Sequence, residues 1–169
     1  MGKVIEKQMK DVFGEFSLVD IDNRKEEYID LFKVYCDELS KDDPQICRYN
    51  FTELAKENLV NSSDRPMFIM KDKAIVGFVV FMDETDEVGN DDCHTYIGEI
   101  YVKPKYRKKG IASRLVCKYL DSLEYDSGFC YIRNSYGEKF WLRLLDSKGY
   151  RYDIVKEDEV RDFVHVHLR

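Results

Sequence analysis

Val102-Lys103-Pro104-Lys105-Tyr106-Arg107-Lys108-Lys109-Gly110-Ile111-Ala112 joins an apolar stretch, Thr95 to Val102, to an amphipathic one that runs from Ile111 to about Tyr125. The first reads as a strand and the second as a helix. The turn between them holds five cations and one glycine. A helix start presents backbone N–H groups without partners and the positive end of the helix dipole. Placed after a strand and a basic turn, it makes an anion site. Gly110 has no side chain, so a ligand can approach the backbone there closely. The group expected at this turn is a pyrophosphate.

The rest of the composition makes the basic turn a local exception. The chain has 169 residues, 44% of them hydrophobic and 36% charged, with a net charge of -6. That suits one domain over residues 1–169 with a real core and a well-solvated surface. Its acidic balance disfavours general nucleic-acid binding, so phosphate cradling is the better reading of the cations than a nucleic-acid patch. Cys36, Cys47, Cys93, Cys117 and Cys130 are scattered, odd in number and form no Cys-x-x-Cys pair. Reduced thiols are expected. Residues 1–11 are polar and read as a loose tail without an apolar signal core. No apolar run approaches the roughly 18 residues that a membrane span needs. The expectation is a soluble, cytoplasmic protein with no membrane partner.

Working outward, Glu15 to Asp20 alternates as a first strand. Asp22 or Asn23 is positioned to cap a helix whose apolar stripe is Tyr28, Leu31, Phe32, Tyr35 and Leu39. Asn50-Phe51-Thr52-Glu53 resembles a capping pattern for a shorter helix to about Val60. Met67 to Met70 and Ala74 to Met82 form a hairpin around Lys71-Asp72-Lys73. Asp83 to Asp92 reads as an acidic, structureless loop, of a kind usually just solvated. Downstream of the basic turn come a short apolar strand, Phe129 to Ile132, and a helix from Tyr136 to about Ser147, ended by Gly149. A hairpin of Tyr150 to Val155 with Val160 to Leu168 closes the chain. The fold class is α/β (α+β): a mixed, mostly antiparallel central sheet of about seven strands with four helices. The order is strand, helix, helix, strand, strand, strand, helix, strand, helix, strand, strand. The parallel part is expected in the strand–helix–strand unit from Thr95 to Arg133.

Arg107-Lys108-Lys109-Gly110-Ile111-Ala112 matches the motif Gln/Arg-x-x-Gly-x-Gly/Ala, preceded by Ile100-Tyr101-Val102-x-Pro104-x-Tyr106. Asn134 after the next strand and Lys148-Gly149-Tyr150 after the last helix add to the pattern. With this element order, the chain resembles a GNAT-superfamily N-acetyltransferase along nearly its whole length. The resemblance implies acetyl-CoA as co-substrate, and no metal. It implies that backbone groups from Arg107 to Ala112, with Lys108, Lys109 and Ser113, hold the diphosphate. The backbone of Ile100, Tyr101 and Val102 would pair with the pantetheine arm as an added strand. It further implies that the fourth and fifth strands splay apart to admit that arm, with Asn134 and Trp141 completing the cofactor set.

The implied reaction is direct attack of an amine on the thioester. A primary amine with a pKa near 10 is mostly protonated at neutral pH, so a base is needed. Glu99 is the candidate base, directly or through water; its bland alternative is a carboxylate that only orders the strand. The family's usual tyrosine for protonating the thiolate falls on Trp141 or Leu145 here. Tyr136 is the candidate substitute, with surface or core packing as its alternative. His165 and His167 share one face of a strand, but no third ligand of suitable spacing is visible, so no metal is expected. Tyr28, Phe32, Tyr35 and Phe51 read as core rather than acceptor pocket.

Acetyl transfer to a small molecule, an amino-acid-like compound or a protein amine is the first functional reading. A CoA-binding or sensing module without efficient transfer is the second, and a surface-interaction protein that binds no CoA is the third. The C-terminal hairpin offers an edge on which a homodimer could pair. Acetyl-CoA at 100 times its dissociation constant should stabilise the protein by about 2.7 kcal/mol, seen as a rise in melting temperature. An unchanged melting temperature would leave only the third reading.

Overall fold

The computed structural model describes residues 14–41, 50–85, 93–123, 126–133, 135–156, 159 and 161–167. The tail of residues 1–11, most of the acidic loop and Asn134 therefore lie outside the described residues. The elements follow the expected order: β1 (Phe16–Asp20), α1 (Lys25–Leu39), α2 (Phe51–Val60), β2 (Asp64–Lys71), β3 (Ala74–Thr85), β4 (Cys93–Val102), a 3-10 turn (Pro104–Tyr106), α3 (Ile111–Asp121), β5 (Ser127–Ile132), α4 (Tyr136–Lys148), β6 (Arg151–Lys156) and β7 (Arg161–His167). Among the described residues, no helix is long and apolar enough to cross a membrane.

The strands do not close into one sheet. They divide into a four-stranded sheet, β1-β2-β3-β4, and a three-stranded sheet, β5-β7-β6. Every pairing is antiparallel. The expected parallel pairing within Thr95 to Arg133 is corrected: β4 and β5 are joined by α3 but share no ladder. β5 pairs with β7 instead, from Ser127↔Val166 to Ile132↔Arg161.

Local signals explain most element ends. Asn50 caps α2 by accepting the Glu53 N–H at 3.4 Å, and Ser135 caps α4 by accepting the Glu138 N–H at 3.2 Å. Gly149 ends α4 in the left-handed region, at φ 68°. The expected Asp22 or Asn23 cap on α1 is corrected. Asp22 takes a left-handed turn at φ 43°, and Arg24 becomes the N-cap without a side-chain bond. Arg24 instead forms a two-bond pair with Glu27, both at 2.8 Å. Two further boundaries shift. α3 stops at Asp121, capped by Ser122, short of Tyr125. Asp83 to Thr85 and Cys93 belong to strands, paired Asp83↔Thr95 through Thr85↔Cys93, so the acidic loop is shorter than expected.

β2 and β3 read as nearly continuous apolar runs because both faces of their sheet are covered. On one face Met67, Ile69, Val79 and Phe81 pack with Leu115, Val116 and Tyr119 of α3 and with Trp141 and Leu145 of α4. On the other, Phe68, Met70, Phe78 and Val80 pack with Tyr28, Phe32 and Cys36 of α1 and Ala55 of α2.

β4 departs from this alternation at one residue. Val80 pairs with Glu99 and Phe81 with Ile97, which leaves Gly98 as an extra residue, a β-bulge. Residues two apart on a strand normally share a face. Here Ile97 stays with Phe81 over α3 and α4, while Glu99 turns with Val80 toward α1. Beside it, Gly77 lies so close to β4 that an added Cβ would stand 2.0 Å from the Tyr101 carbonyl oxygen. Gly77→Ala must therefore separate β3 from β4, and should cost about 3 kcal/mol by overpacking. Urea unfolding of the variant measures the loss.

Candidate active site

The basic turn is built from backbone geometry first. Pro104 to Tyr106 form one 3-10 turn, Arg107 is extended, and Lys108 and Gly110 are left-handed at φ 61° and 73°. Ile111 then starts α3, buried in the core. Ile111, Ala112 and Ser113 occupy its first turn, where N–H groups have no intrahelical partner. Alternating hands at successive residues make such N–H groups converge into an anion-binding concavity. A Cβ built on Gly110 meets nothing within 4 Å, so its surroundings are open.

Arg107 is committed to holding this turn in place. Its Nε donates to the Val102 carbonyl and its Nη2 to Glu38 Oε2, both at 2.7 Å. Its guanidinium lies 5.3 Å from the Tyr101 ring centre, and the Tyr101 hydroxyl donates to Glu38 Oε1 at 2.8 Å. Burial pushes the Glu38 carboxyl up, but the hydrogen bonds from Arg107 and Tyr101 outweigh it and leave its pKa below the ordinary value. Lys105 and Lys109 lie 4.9 and 5.6 Å from the Tyr106 ring centre, and Lys108 is exposed. Nothing in the sequence pointed to Glu38, because it meets Arg107 only through the fold.

The outer edge of β4 carries the next set of groups. The Lys103 N–H donates to the Val76 carbonyl at 2.8 Å, which makes those two a hydrogen-bonded pair. Antiparallel ladders alternate, so Gly77↔Val102 and Val79↔Ile100 are non-bonded pairs. The N–H and C=O groups of Val102 and Ile100 consequently point away from β3, toward the side where β5 forms no ladder. The Tyr101 backbone bonds to β3 instead, and its side chain is buried toward α1.

Glu99 lies on the α1 face, where the Tyr35 hydroxyl donates to its Oε2. Burial raises the Glu99 carboxyl to about 7; the Tyr35 bond and the charge of Arg161 pull the other way. Burial likewise holds the Tyr35 hydroxyl well above its ordinary value, with the Glu99 charge adding to the effect. Tyr35 is half-buried, its ring 5.5 Å from Phe78 and 5.6 Å from Tyr101. Tyr28 and Phe32 are buried core, as expected, but Tyr35 is a site neighbour that helical spacing placed among them.

Among the described residues, Tyr136, Trp141 and Asp83 lie in other settings. Tyr136 opens α4 and is 70% exposed. Trp141 is buried, stacked 3.9 Å from the Phe129 ring. Asp83, at the base of the acidic segment, pairs with Arg65 at 3.1 Å.

A strand with a bulge, a gap beside it and an anion turn at its end make a distinctive arrangement. The model of the acetyltransferase (GNAT) family matches residues 26–135. The chain belongs to that family. No curated protein sequence matches it. Solved structures share the fold of this GNAT chain. An acetyltransferase from Thermus thermophilus has a TM-score of 0.65 at 9% identity, covering 90% of this chain and 97% of its own. A chain of the NatC complex bound to Gag peptide and CoA has a TM-score of 0.62 at 19% identity, covering 92% and 99%. An N-acetyltransferase from Thermoplasma acidophilum in complex with coenzyme A has a TM-score of 0.59 at 14% identity, covering 92% and 100%. At these identities the likeness is one of fold.

The environment of Glu99 sets a stability test. Its folded pKa of about 7 lies above the ordinary carboxyl value of 4.5, so the folded state holds this proton more tightly than the unfolded chain. The associated stability is full below pH 4.5 and is lost as pH rises through 7. Across that window each step of one in pH removes about 1.4 kcal/mol. Glu99→Gln removes the titration and still accepts from Tyr35. The variant should be more stable than the parent at pH 8, with the difference shrinking toward pH 5, as read by urea unfolding across pH.

Proposed function

We propose that this GNAT protein is an acetyl-CoA-dependent N-acetyltransferase that transfers the acetyl group directly to a primary amine. The observation that carries the reading is the course of β4. Within five residues it passes from Glu99, turned by the bulge toward α1, to the outward backbone of Ile100 and Val102, and then to the anion turn. That order matches the order of chemical groups in the co-substrate: thioester, pantetheine amides, diphosphate.

Each part of the chain then has a task. The N–H groups of Lys108 to Ser113 face the diphosphate, and Lys108 and Lys109 add charge. Ile100 and Val102 align the pantetheine arm in the gap beside β4, which sets the thioester near Glu99. Glu99, with a pKa of about 7, is ionised often enough to accept the ammonium proton and weak enough to pass it on to water. Tyr35 donates to the carboxylate and orients it. The freed amine attacks the carbonyl carbon, the C–S bond breaks, the nitrogen gives up its extra proton to water, and the CoA thiolate takes a proton. Tyr136 is the chain's candidate for that proton, with water as its alternative. No metal takes part. Likeness to a chain of a peptide-bound complex supports a peptide amine as one acceptor class, beside small amines and amino-acid-like compounds. Five scattered cysteines with no Cys-x-x-Cys pair suit a cytoplasmic setting. β6 is a sheet edge with Ile154 and Val155 outward, a surface on which two copies can pair.

The second reading, CoA binding without efficient transfer, draws on Trp141. It is one of the two positions, with Leu145, where the family's tyrosine is expected, and it is buried against Phe129. Release of free thiol from acetyl-CoA with a panel of amines and peptides separates the two. Under the first reading kcat/KM rises with pH through about 7. Glu99→Gln should lower it by about 10²-fold or more and remove that rise. An unchanged rate and profile would exclude Glu99 as the base. Tyr136→Phe should lower kcat if the phenol protonates the thiolate, and leave it unchanged if water does.

A further inference from the structure

The far end of β7 holds a second cluster that the transfer reaction does not use. Its strand neighbours bring together residues remote in sequence. Gly128 of β5 and Asp153 of β6 both stand opposite His165, and Ser127 stands opposite Val166. Continuing that register places Asp126 beside His167. Val164 and Val166 point into the core, so His165 and His167 share the outward face. Asp126 supplies the third group that could not be seen in the sequence.

The donor atoms converge. Asp126 Oδ2 lies 2.9 Å from His165 Nε2 and 3.2 Å from His167 Nδ1. All three ligand atoms lie within 4.8 Å of one another. Donors around a tetrahedral zinc at about 2.0–2.1 Å stand roughly 3.3 Å apart, so small rotations of the side chains would admit an ion. The fourth residue addresses orientation. His167 Nε2 meets Asp153 Oδ2 at 2.7 Å. A ring that donates its Nε2 proton to Asp153 presents a lone pair at Nδ1, aimed at the Asp126 carboxylate. In the imidazolium form a proton on Nδ1 bridges these two atoms, and a metal ion would take that proton's place. A carboxylate on the remote nitrogen is also the usual means of holding a metal-binding histidine.

We infer that Asp126, His165 and His167 form a site for a borderline divalent transition-metal ion of the zinc class, with Asp153 orienting His167. Two imidazoles and one carboxylate suit zinc, cobalt or nickel better than magnesium or calcium, which prefer all-oxygen shells. The three side chains are each about one-third exposed, so the fourth coordination position is open to water. The ion ties the entrance of β5 to the end of β7, and through Asp153 to the edge strand β6. Its role is structural, separate from acetyl transfer.

Tag-free full-length protein, stripped with chelator, is titrated with Zn²⁺ by calorimetry and with Co²⁺ by absorption. The expected result is one ion per chain with micromolar affinity. The Co²⁺ spectrum should show ligand-field bands of a nitrogen–oxygen site and lack the thiolate charge-transfer band that binding at the cysteines would give. His165→Ala and Asp126→Asn should each weaken binding at least tenfold while circular dichroism is preserved. Asp153→Asn should weaken it less. Zn²⁺ should raise the melting temperature of the parent and not of His165→Ala. Absence of binding below millimolar metal would overturn the site and leave a cluster bridged by protons only. Binding that persists in the variants, or a thiolate band, would also overturn it.

Discussion

A carboxylate placed between a sheet and a helix sets the terms for this structure. Burial costs a charged group its hydration, and the cost appears in the raised pKa of Glu99. The group sits there because of the bulge at Gly98. With uninterrupted alternation Glu99 would share the face of Ile97, in the apolar layer under α3. One extra residue instead turns it toward Tyr35. The apolar layers on both sides hold the bulge in register, so the packing of the core decides where the Glu99 carboxylate points.

Helix α1 links the two ends of the site. Tyr35 and Glu38 are three residues apart and therefore lie on one helical face. Tyr35 reaches Glu99, while Glu38 reaches Tyr101 and Arg107. A single helix thus supports both the carboxylate and the anion turn that follows β4. The Glu38–Arg107 pair is about one-third exposed, so its Coulomb energy is modest. Its value lies in geometry: Arg107 bridges Glu38 and the Val102 carbonyl and fixes the angle at which the turn leaves the strand. Arg107 thus serves the shape of the turn.

Local chemistry made much of this readable in advance. Periodicity identified the helices and strands, and Asn50, Gly110 and Gly149 mark turns and caps whose physics is confined to a few residues. The motif from Arg107 to Ala112 is legible for the same reason, since its geometry depends on backbone donors next to one glycine. Trp141 shows the limit. Position along the chain associates it with the cofactor set, while packing buries it against Phe129.

The amino-acid sequence by itself determined the order of the elements, the anion turn and the family, because each depends on short-range spacing. The tertiary structure decided the division into two sheets, the face on which Glu99 lies, and the contacts of Tyr35, Glu38 and Asp126. Those depend on strand partners and on a one-residue change of register. No local pattern encodes them, because β5 must choose β7 over β4, and Glu99 must choose a face, in competition with every other way of burying the same apolar surface.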